Sequence, residues 1–276
     1  MGYFEGRVVA ITGAGSGIGR ELAIELVQSG AHLALSDSSE SQLLATADLC
    51  VGVGVGVGGD VYASVVDVVD RAAVLAHSAD VASRFGRVDA VINNAGVLFA
   101  GDVLATSFED YERVIDVDFW GVVNGTKAFL PHVMRSDRGH IVNISSAFGL
   151  MAAPSYSAYN AAKFAVRGFT ESLRQEMILG GHDVKVTCVH PGGIRTTIAR
   201  TARHAAGVDG AELADSFDRR IARTDPDAAA RTILRGVERG SARVLVGADA
   251  SVVDLLTRTL GSRYLAILPA LKRLSS

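Results

Sequence analysis

Near the amino terminus, RVVAIT (Arg7 to Thr12) runs into glycines at Gly13, Gly17 and Gly19 and then into an apolar-periodic stretch from about Ile18 to Gln28, closed by Ser29-Gly30. This is a strand, a glycine loop and a helix in direct succession. A strand followed at once by a helix returns to its sheet as a parallel neighbour, so the unit points to an α/β fold with helices on both faces. Small loop residues let the backbone approach a phosphate, and a helix amino terminus aims amides at it. Gly13, Ser16, Gly17, Ile18 and Gly19 are therefore the candidate pyrophosphate contacts. The dinucleotide fingerprint GxGxxG is absent, the spacing here being GxxxGxG, and alone such a loop also reads as an ordinary glycine turn.

The strand and helix pattern repeats along the chain. HLALSD (His32 to Asp37) reads as a second strand ending in an acid eighteen residues beyond Gly19, where such folds present a carboxylate to an adenosine ribose. A 2′-phosphate beside Asp37 would face a like charge costing about 1–4 kcal/mol at ~4 Å. Neither Ser16 nor Ser38 offers a cation, so NAD is expected and NADP disfavoured, with a strand-end helix cap as the other reading of Asp37. A helix from Ser39 to about Cys50 follows, then VGVGVGVGGD (Val51 to Asp60), read as a flexible connection with some extended pairing. Further strands are VYASVV, VDAVIN (Val88 to Asn93), HIVNISS (His140 to Ser146), VKVTCVH (Val184 to His190) and ARVLVG (Ala242 to Gly247). Helices are expected over Phe108 to Arg135, with bends at Gly121, Gly125 and Pro131, over Tyr156 to Leu179, and from Pro226 through Arg239. The expectation is one doubly wound parallel sheet, a single Rossmann-type domain over 1–276, with a small helical lid at about 197–225 and a helical tail at about 249–276.

Composition excludes several classes. The net charge of −3 in 276 residues leaves no electrostatic footprint for nucleic acid. Cys50 and Cys188 stand far apart with no CxxC pair or histidine cluster, so neither a disulfide nor a metal site is indicated. The amino terminus enters a strand without a secretory pattern, and no apolar run reaches the ~18 residues that span a bilayer. A soluble cytoplasmic enzyme is expected.

The chemistry concentrates between Ile141 and Phe169. Tyr159 and Lys163 lie four residues apart in a helical segment and so share one face. An ammonium beside a phenol favours the phenolate and moves its pKa of roughly 10 toward useful range. Ser146 ends a buried strand, where its hydroxyl can hold a substrate oxygen.

Ser146, the YNAAK of Tyr159 to Lys163, TGAGSGIG (Thr12 to Gly19) and NNAG (Asn93 to Gly96) together resemble the short-chain dehydrogenase/reductase family over roughly residues 6 to 247. The resemblance implies reversible hydride transfer between a secondary alcohol and its ketone, without a metal. Ser146 would hold the substrate oxygen, Tyr159 would move the proton, and Lys163 would lower the phenol's pKa and hold the nicotinamide ribose. Asp67 and Val68 match the family's adenine contact, although a helix cap by Asp67 or Asp70 fits equally. Asn93, Asn94, Ala95 and Gly96 would face the cofactor. Pro191 and Gly192 would floor the nicotinamide, whose carboxamide would meet Ile194 and Thr196. The main departure is Asp118, where the family usually carries an asparagine that props up the lysine. It is taken as a fourth catalytic residue, the alternative being an inert helical acid.

Phe148, Leu150, Met151 and Pro154, between the serine and the tyrosine, suggest an apolar pocket and a hydrophobic, lipid- or steroid-like substrate. The alternatives are a 3-oxoacyl-thioester reductase, whose carrier would be held by the lid arginines Arg200, Arg203, Arg219, Arg220 and Arg223, and a non-catalytic dinucleotide-binding protein. Those arginines also read as a solvated face. The tail carries an apolar stripe at Val252, Leu255, Leu256, Leu260, Tyr264, Ile267, Leu268 and Leu271, expected as a subunit contact or pocket cover, with peripheral membrane contact the other reading. By resemblance the chain should form a homo-oligomer, a tetramer or dimer paired through Phe108 to Arg135 and Tyr156 to Leu179.

Overall fold

The computed structural model describes residues 2–54, 56 and 59–266. Seven parallel strands form the central sheet: β1 (Val8–Thr12), β2 (His32–Asp37), β3 (Val61–Val65), β4 (Ala90–Asn93), β6 (Gly139–Ile144), β7 (Val184–Pro191) and β9 (Arg243–Val246). The spatial order is β3-β2-β1-β4-β6-β7-β9. A two-residue strand, β5 (Phe99–Ala100), pairs outside this sheet with β8 (Arg203–His204). The connecting helices are α1 (Gly17–Gln28), α2 (Glu40–Val53), α3 (Arg71–Phe85), α4 (Phe108–Ile115), α5 (Gly121–Val133), α6 (Ser157–Leu179), α7 (Gly210–Arg220), α8 (Pro226–Glu238) and α9 (Ala248–Leu260).

Every residue of β1, β4 and β6 is buried, as expected of strands covered on both faces. On one face Leu22 and Leu26 of α1, Leu43 and Cys50 of α2 and Ile233 of α8 pack on Val9, Ile11, Leu33 and Leu35. On the other, Val74 and Val81 of α3, Phe129 of α5 and Leu173 and Met177 of α6 pack on Val8, Val91, Ile141 and Val186. The chain winds outward from β1 in one direction and from β4 in the other. Their carboxyl ends therefore open a crevice between the glycine loop and the NNAG turn.

Three local expectations require correction. Helix α2 continues through Val53, because the first valines of the Val-Gly stretch extend its last turn before Gly54 ends it; residues 55, 57 and 58 of that stretch lie outside the described residues. The long helix expected over Phe108 to Arg135 is interrupted at Asp116–Trp120, one π-helical turn, and not at the glycines or the proline. Gly121 and Gly125 instead permit close approach, a side chain there running into Val68 and Asn93 respectively, and Pro131 sits inside α5 without ending it. The lid is only partly helical: besides α7 it holds a short 3₁₀ turn (Thr197–Ala199) and β8, which ties it to β5.

Candidate active site

A cavity of about 930 Å³ runs from the glycine loop to the tyrosine and lysine. At its nucleotide end β1 runs straight into Gly13, which takes a left-handed φ of +63°. A side chain there would press on the Ala95 Cα at 2.7 Å, so glycine is required twice over. Ser16 stands at the amino-terminal cap of α1 without a side-chain hydrogen bond, and the first turn carries no acid. An amino terminus left open toward a cavity suits an anion. Gly13, Ser16, Gly17 and Ile18 all line the cavity.

Gly19 does not line it. Its missing side chain instead makes room for the Gly13 carbonyl and the Asn94 amide, so Gly19 is a packing glycine. Asn94 Nδ2 donates to the carbonyls of Thr12 and Gly13 at 3.1 and 3.0 Å, while Thr12 Oγ1 accepts from the backbone of Asn94 and Ala95. That ties the NNAG turn to the glycine loop. Asn93 points the other way, donating to Thr126 Oγ1 and Asn143 Oδ1 at 3.0 and 2.8 Å, and so belongs to the buried frame rather than the cofactor wall. Asn94, Ala95 and Gly96 do line the cavity.

Asp37 ends β2 at the cavity wall, its carboxylate accepting from the amides of Gly15 and Ser39, each at 2.9 Å. Its lining neighbours Ser38, Ser39 and Gln42 are uncharged. The nearby cation that sequence reading overlooked, Arg20, is committed to the Gly15 carbonyl at 2.5 Å and to Thr46 Oγ1 at 3.0 Å and stands outside the lining. Asp67 and Val68 line the cavity as expected. The cap of α3 is Asp70, which accepts from the Ala73 amide at 3.0 Å.

At the catalytic end, Ser146, Tyr159 and Lys163 converge on the cavity. Tyr159 and Lys163 are buried on one face of α6, and Lys163 Nζ stands 5.5 Å from the Tyr159 ring centroid. Ser146 follows β6; its hydroxyl accepts from the Phe148 amide at 3.1 Å, and its carbonyl is met by His190 Nδ1 at 3.0 Å. Asp118 lies outside the cavity lining, wholly buried, where the π-helical turn carries it inward. Its Oδ1 accepts from the Val97 amide at 2.7 Å, and its Oδ2 stands 3.2 Å from Lys163 Nζ. Lys163 also donates to the Ile144 carbonyl at 3.3 Å.

Burial would by itself depress the Lys163 ammonium, but Asp118 and then Tyr159 overcome it and its pKa is raised. Burial raises the Asp118 carboxyl, opposed by Lys163 and the Val97 amide. The ion pair and the short amide bond both favour the ionised carboxylate, and we take the charged pair as the resting state. Burial pushes the Tyr159 phenol up and Asp118 adds to the rise; Lys163 lowers it, the expected direction, as does the Ser146 hydroxyl, but together they do not overcome the burial and the net shift in the free protein is upward.

Pro191, Gly192, Ile194 and Thr196 line the same cavity. A residue with no local sequence signal joins them: Asp249, at the start of α9, accepts from the Gly193 amide at 2.6 Å and fastens the proline-glycine turn. The substrate side is walled by Val97, Leu98, Phe148, Tyr156, Ile198, Phe217, Ile221 and Val253. Of the four residues expected there, only Phe148 contributes; Leu150 is buried away from the cavity and Pro154 is exposed. Met151 is likewise absent from the wall.

The lid arginines do not reach the cavity. Arg200 pairs with Asp218 at 2.6 Å and Arg219 with Asp215 at 3.8 Å, both at the exposed surface. In the tail, Val253 lines the cavity and the Tyr264 hydroxyl accepts from the Ala152 amide at 3.5 Å, whereas Val252 and Leu255 of the expected stripe are exposed. Ile267, Leu268 and Leu271 lie outside the described residues. Among the described residues no helix is long and apolar enough to cross a membrane.

Residues 7–207 match the family described as short chain dehydrogenase. A Mycobacterium tuberculosis protein named as the oxidoreductase SadH is 57% identical over 270 residues, covering 98% of this chain and 96% of its own. Estradiol 17-beta-dehydrogenase 11 of Pongo abelii is 31% identical over 95% of this chain and 82% of its own. The crystal structure of a short chain dehydrogenase/reductase from Burkholderia phymatum in complex with NAD superimposes with a TM-score of 0.86 at 29% identity, covering 95% of this chain and 97% of that one.

Proposed function

Because the chain belongs to the short-chain dehydrogenase/reductase family, we propose that this oxidoreductase uses NAD to interconvert a hydrophobic secondary alcohol and its ketone. The observation that carries the reading is the single cavity joining an uncapped helix amino terminus and Asp37 at one end to Ser146, Tyr159 and Lys163 at the other. The residues fit a nicotinamide dinucleotide: the glycine loop admits a pyrophosphate, Asp37 suits a free ribose diol, and Gly96 leaves open the space beside Lys163 Nζ, 3.3 Å from where a side chain would stand. The uncharged neighbours of Asp37 support NAD over NADP.

When bound, NAD supplies the hydride acceptor for oxidation, and NADH the donor for reduction. Ser146 orients the substrate oxygen by a hydrogen bond. The Tyr159 hydroxyl exchanges the proton with that oxygen, accepting it as phenolate in oxidation and giving it back as phenol in reduction. Lys163, ion-paired with Asp118, would hold the nicotinamide ribose. The apolar wall from Val97 to Val253 favours a large apolar substrate over a sugar, although Glu109, Glu112, Arg113 and Asp116 of the same lining are charged.

The convergence of Ser146 with buried Tyr159 and Lys163 on one cavity favours an enzyme over a binding protein, and the absence of the lid arginines from the cavity wall supports a substrate without a thioester carrier. Exposed Leu104, Phe108, Trp120 and Phe164 on and beside α4 to α6 support pairing of subunits there. The test is turnover of a panel of secondary alcohols and ketones of graded apolar size with NAD or NADH. The proposal expects kcat/KM to rise with apolar bulk; turnover confined to sugars or short primary alcohols would contradict it.

A further inference from the structure

Asp118 is a charge where the proton relay of a Tyr-Lys site needs none. Its carboxylate is wholly buried, anchored by the Val97 amide at 2.7 Å, with Oδ2 left to Lys163 Nζ at 3.2 Å and no hydrogen-bond partner of its own. A buried lysine stabilises a neighbouring phenolate through an uncompensated positive charge. Here that charge is already matched. Ionising Tyr159 would leave two anions sharing one cation among three buried groups, which is costly. An asparagine in the same place would leave one cation for one phenolate.

We propose that Asp118 is a positioning residue that cancels the charge of Lys163, so that Tyr159 rests as a phenol and the site is set to reduce a carbonyl at neutral pH. This rests on the reading of Tyr159 as the proton-transfer group. In reduction the carbonyl carbon takes a hydride from NADH and its oxygen takes the Tyr159 proton, the C=O π bond giving way to C–H and O–H bonds. Oxidation runs the same changes backward and needs the phenolate, so it waits for alkaline pH. The groups that act on Tyr159 are Lys163 from its own helix, Asp118 from the π-helical turn and the Ser146 hydroxyl from beyond β6; Arg113 of α4 acts on Asp118. The upward direction of the Tyr159 shift agrees with this count of charges.

The test reads the tyrosine directly and does not need turnover. The chain has six tyrosines, so tyrosinate absorbance is titrated for the wild type and for Asp118→Asn, each after subtraction of its own Tyr159→Phe counterpart. Asp118→Asn keeps an acceptor for the Val97 amide, and a melting curve checks its fold; Asp118→Ser removes the charge with less bulk should the asparagine disturb packing. The expected result is a fall of about one pH unit or more in the Tyr159 midpoint, with the alkaline limb of kcat/KM for oxidation moving by the same amount. A midpoint that stays in place or rises overturns the proposal, as does an oxidation profile that shrinks without moving. A protein that shows the midpoint shift but turns over no alcohol or ketone would refute the oxidoreductase reading and leave the charge assignment standing.

Discussion

Replacing Asp37 by serine separates two contributions that one carboxylate makes to cofactor choice. In the wild type the carboxylate accepts the Gly15 and Ser39 amides and faces the cavity beside uncharged Ser38, Ser39 and Gln42. A ribose diol gains a charge-assisted hydrogen bond of about 1.5–3 kcal/mol from it. A 2′-phosphate in the same place meets like-charge repulsion of about 1–4 kcal/mol at ~4 Å. Arg20 cannot relieve that repulsion while it holds the Gly15 carbonyl and Thr46. Asp37→Ser should therefore weaken NADH by roughly ten- to a hundredfold, tighten NADPH, and lower the preference for NADH at least tenfold. Fluorescence titration of both nucleotides at one fixed ionic strength reads the ratio, since exposed charge effects are screened by salt. If both nucleotides weaken equally, Asp37 serves only to hold the glycine loop and the selectivity argument is wrong.

Three further outcomes follow from named contacts. His77 is buried between Tyr62 and Phe129 with neither ring nitrogen hydrogen-bonded, and burial lowers its pKa to about 4. The unfolded chain takes up that proton near pH 6.5, so stability should be lost as pH falls from about 6.5 toward 4, by at most about 1.4 kcal/mol per pH unit from this group. Urea denaturation of His77→Phe should show a correspondingly flatter acid slope, and an unchanged slope would count against the assignment. Gly13→Ala combines a left-handed φ with a 2.7 Å overlap on Ala95, and should cost at least about 1 kcal/mol of stability and tenfold or more in NADH affinity, read by melting and titration. Light scattering should give a dimer or tetramer, and Phe108→Asp with Trp120→Asp should dissociate it; a monomeric wild type would remove the proposed pairing.

Much of this was legible because local chemistry and global topology agree. The glycine loop requires a strand before it and a helix after it, and the observed β1 and α1 supply both. The i, i+4 spacing of Tyr159 and Lys163 needs only a helix to bring them together. Three features escaped because they depend on distant packing. The π-helical turn at Asp116–Trp120 has the same residue preferences as an α-helix, and a one-residue change of register leaves no pattern to read. Asp249 reaches Gly193 from 56 positions away, with nothing local to mark it. The proton affinity of Tyr159 follows from burial and from the partner of Lys163, neither of which spacing reveals. The motifs point Gly19 and Asn93 at the cofactor, whereas their contacts are with the packing around the cavity.

The central claim, that Tyr159 moves the proton of a hydride transfer, is tested most directly by Tyr159→Phe. NADH binding by fluorescence and hydride transfer by the change in NADH absorbance are measured on both proteins with the best substrate of the alcohol and ketone panel. Loss of one hydroxyl should leave NADH affinity within about threefold and cut kcat by at least ~10²-fold, the usual contribution of a positioned acid or base. A variant that keeps its rate within tenfold of the wild type would contradict the role of Tyr159, and a wild type that binds NADH yet transfers hydride to nothing on the panel would contradict catalysis itself.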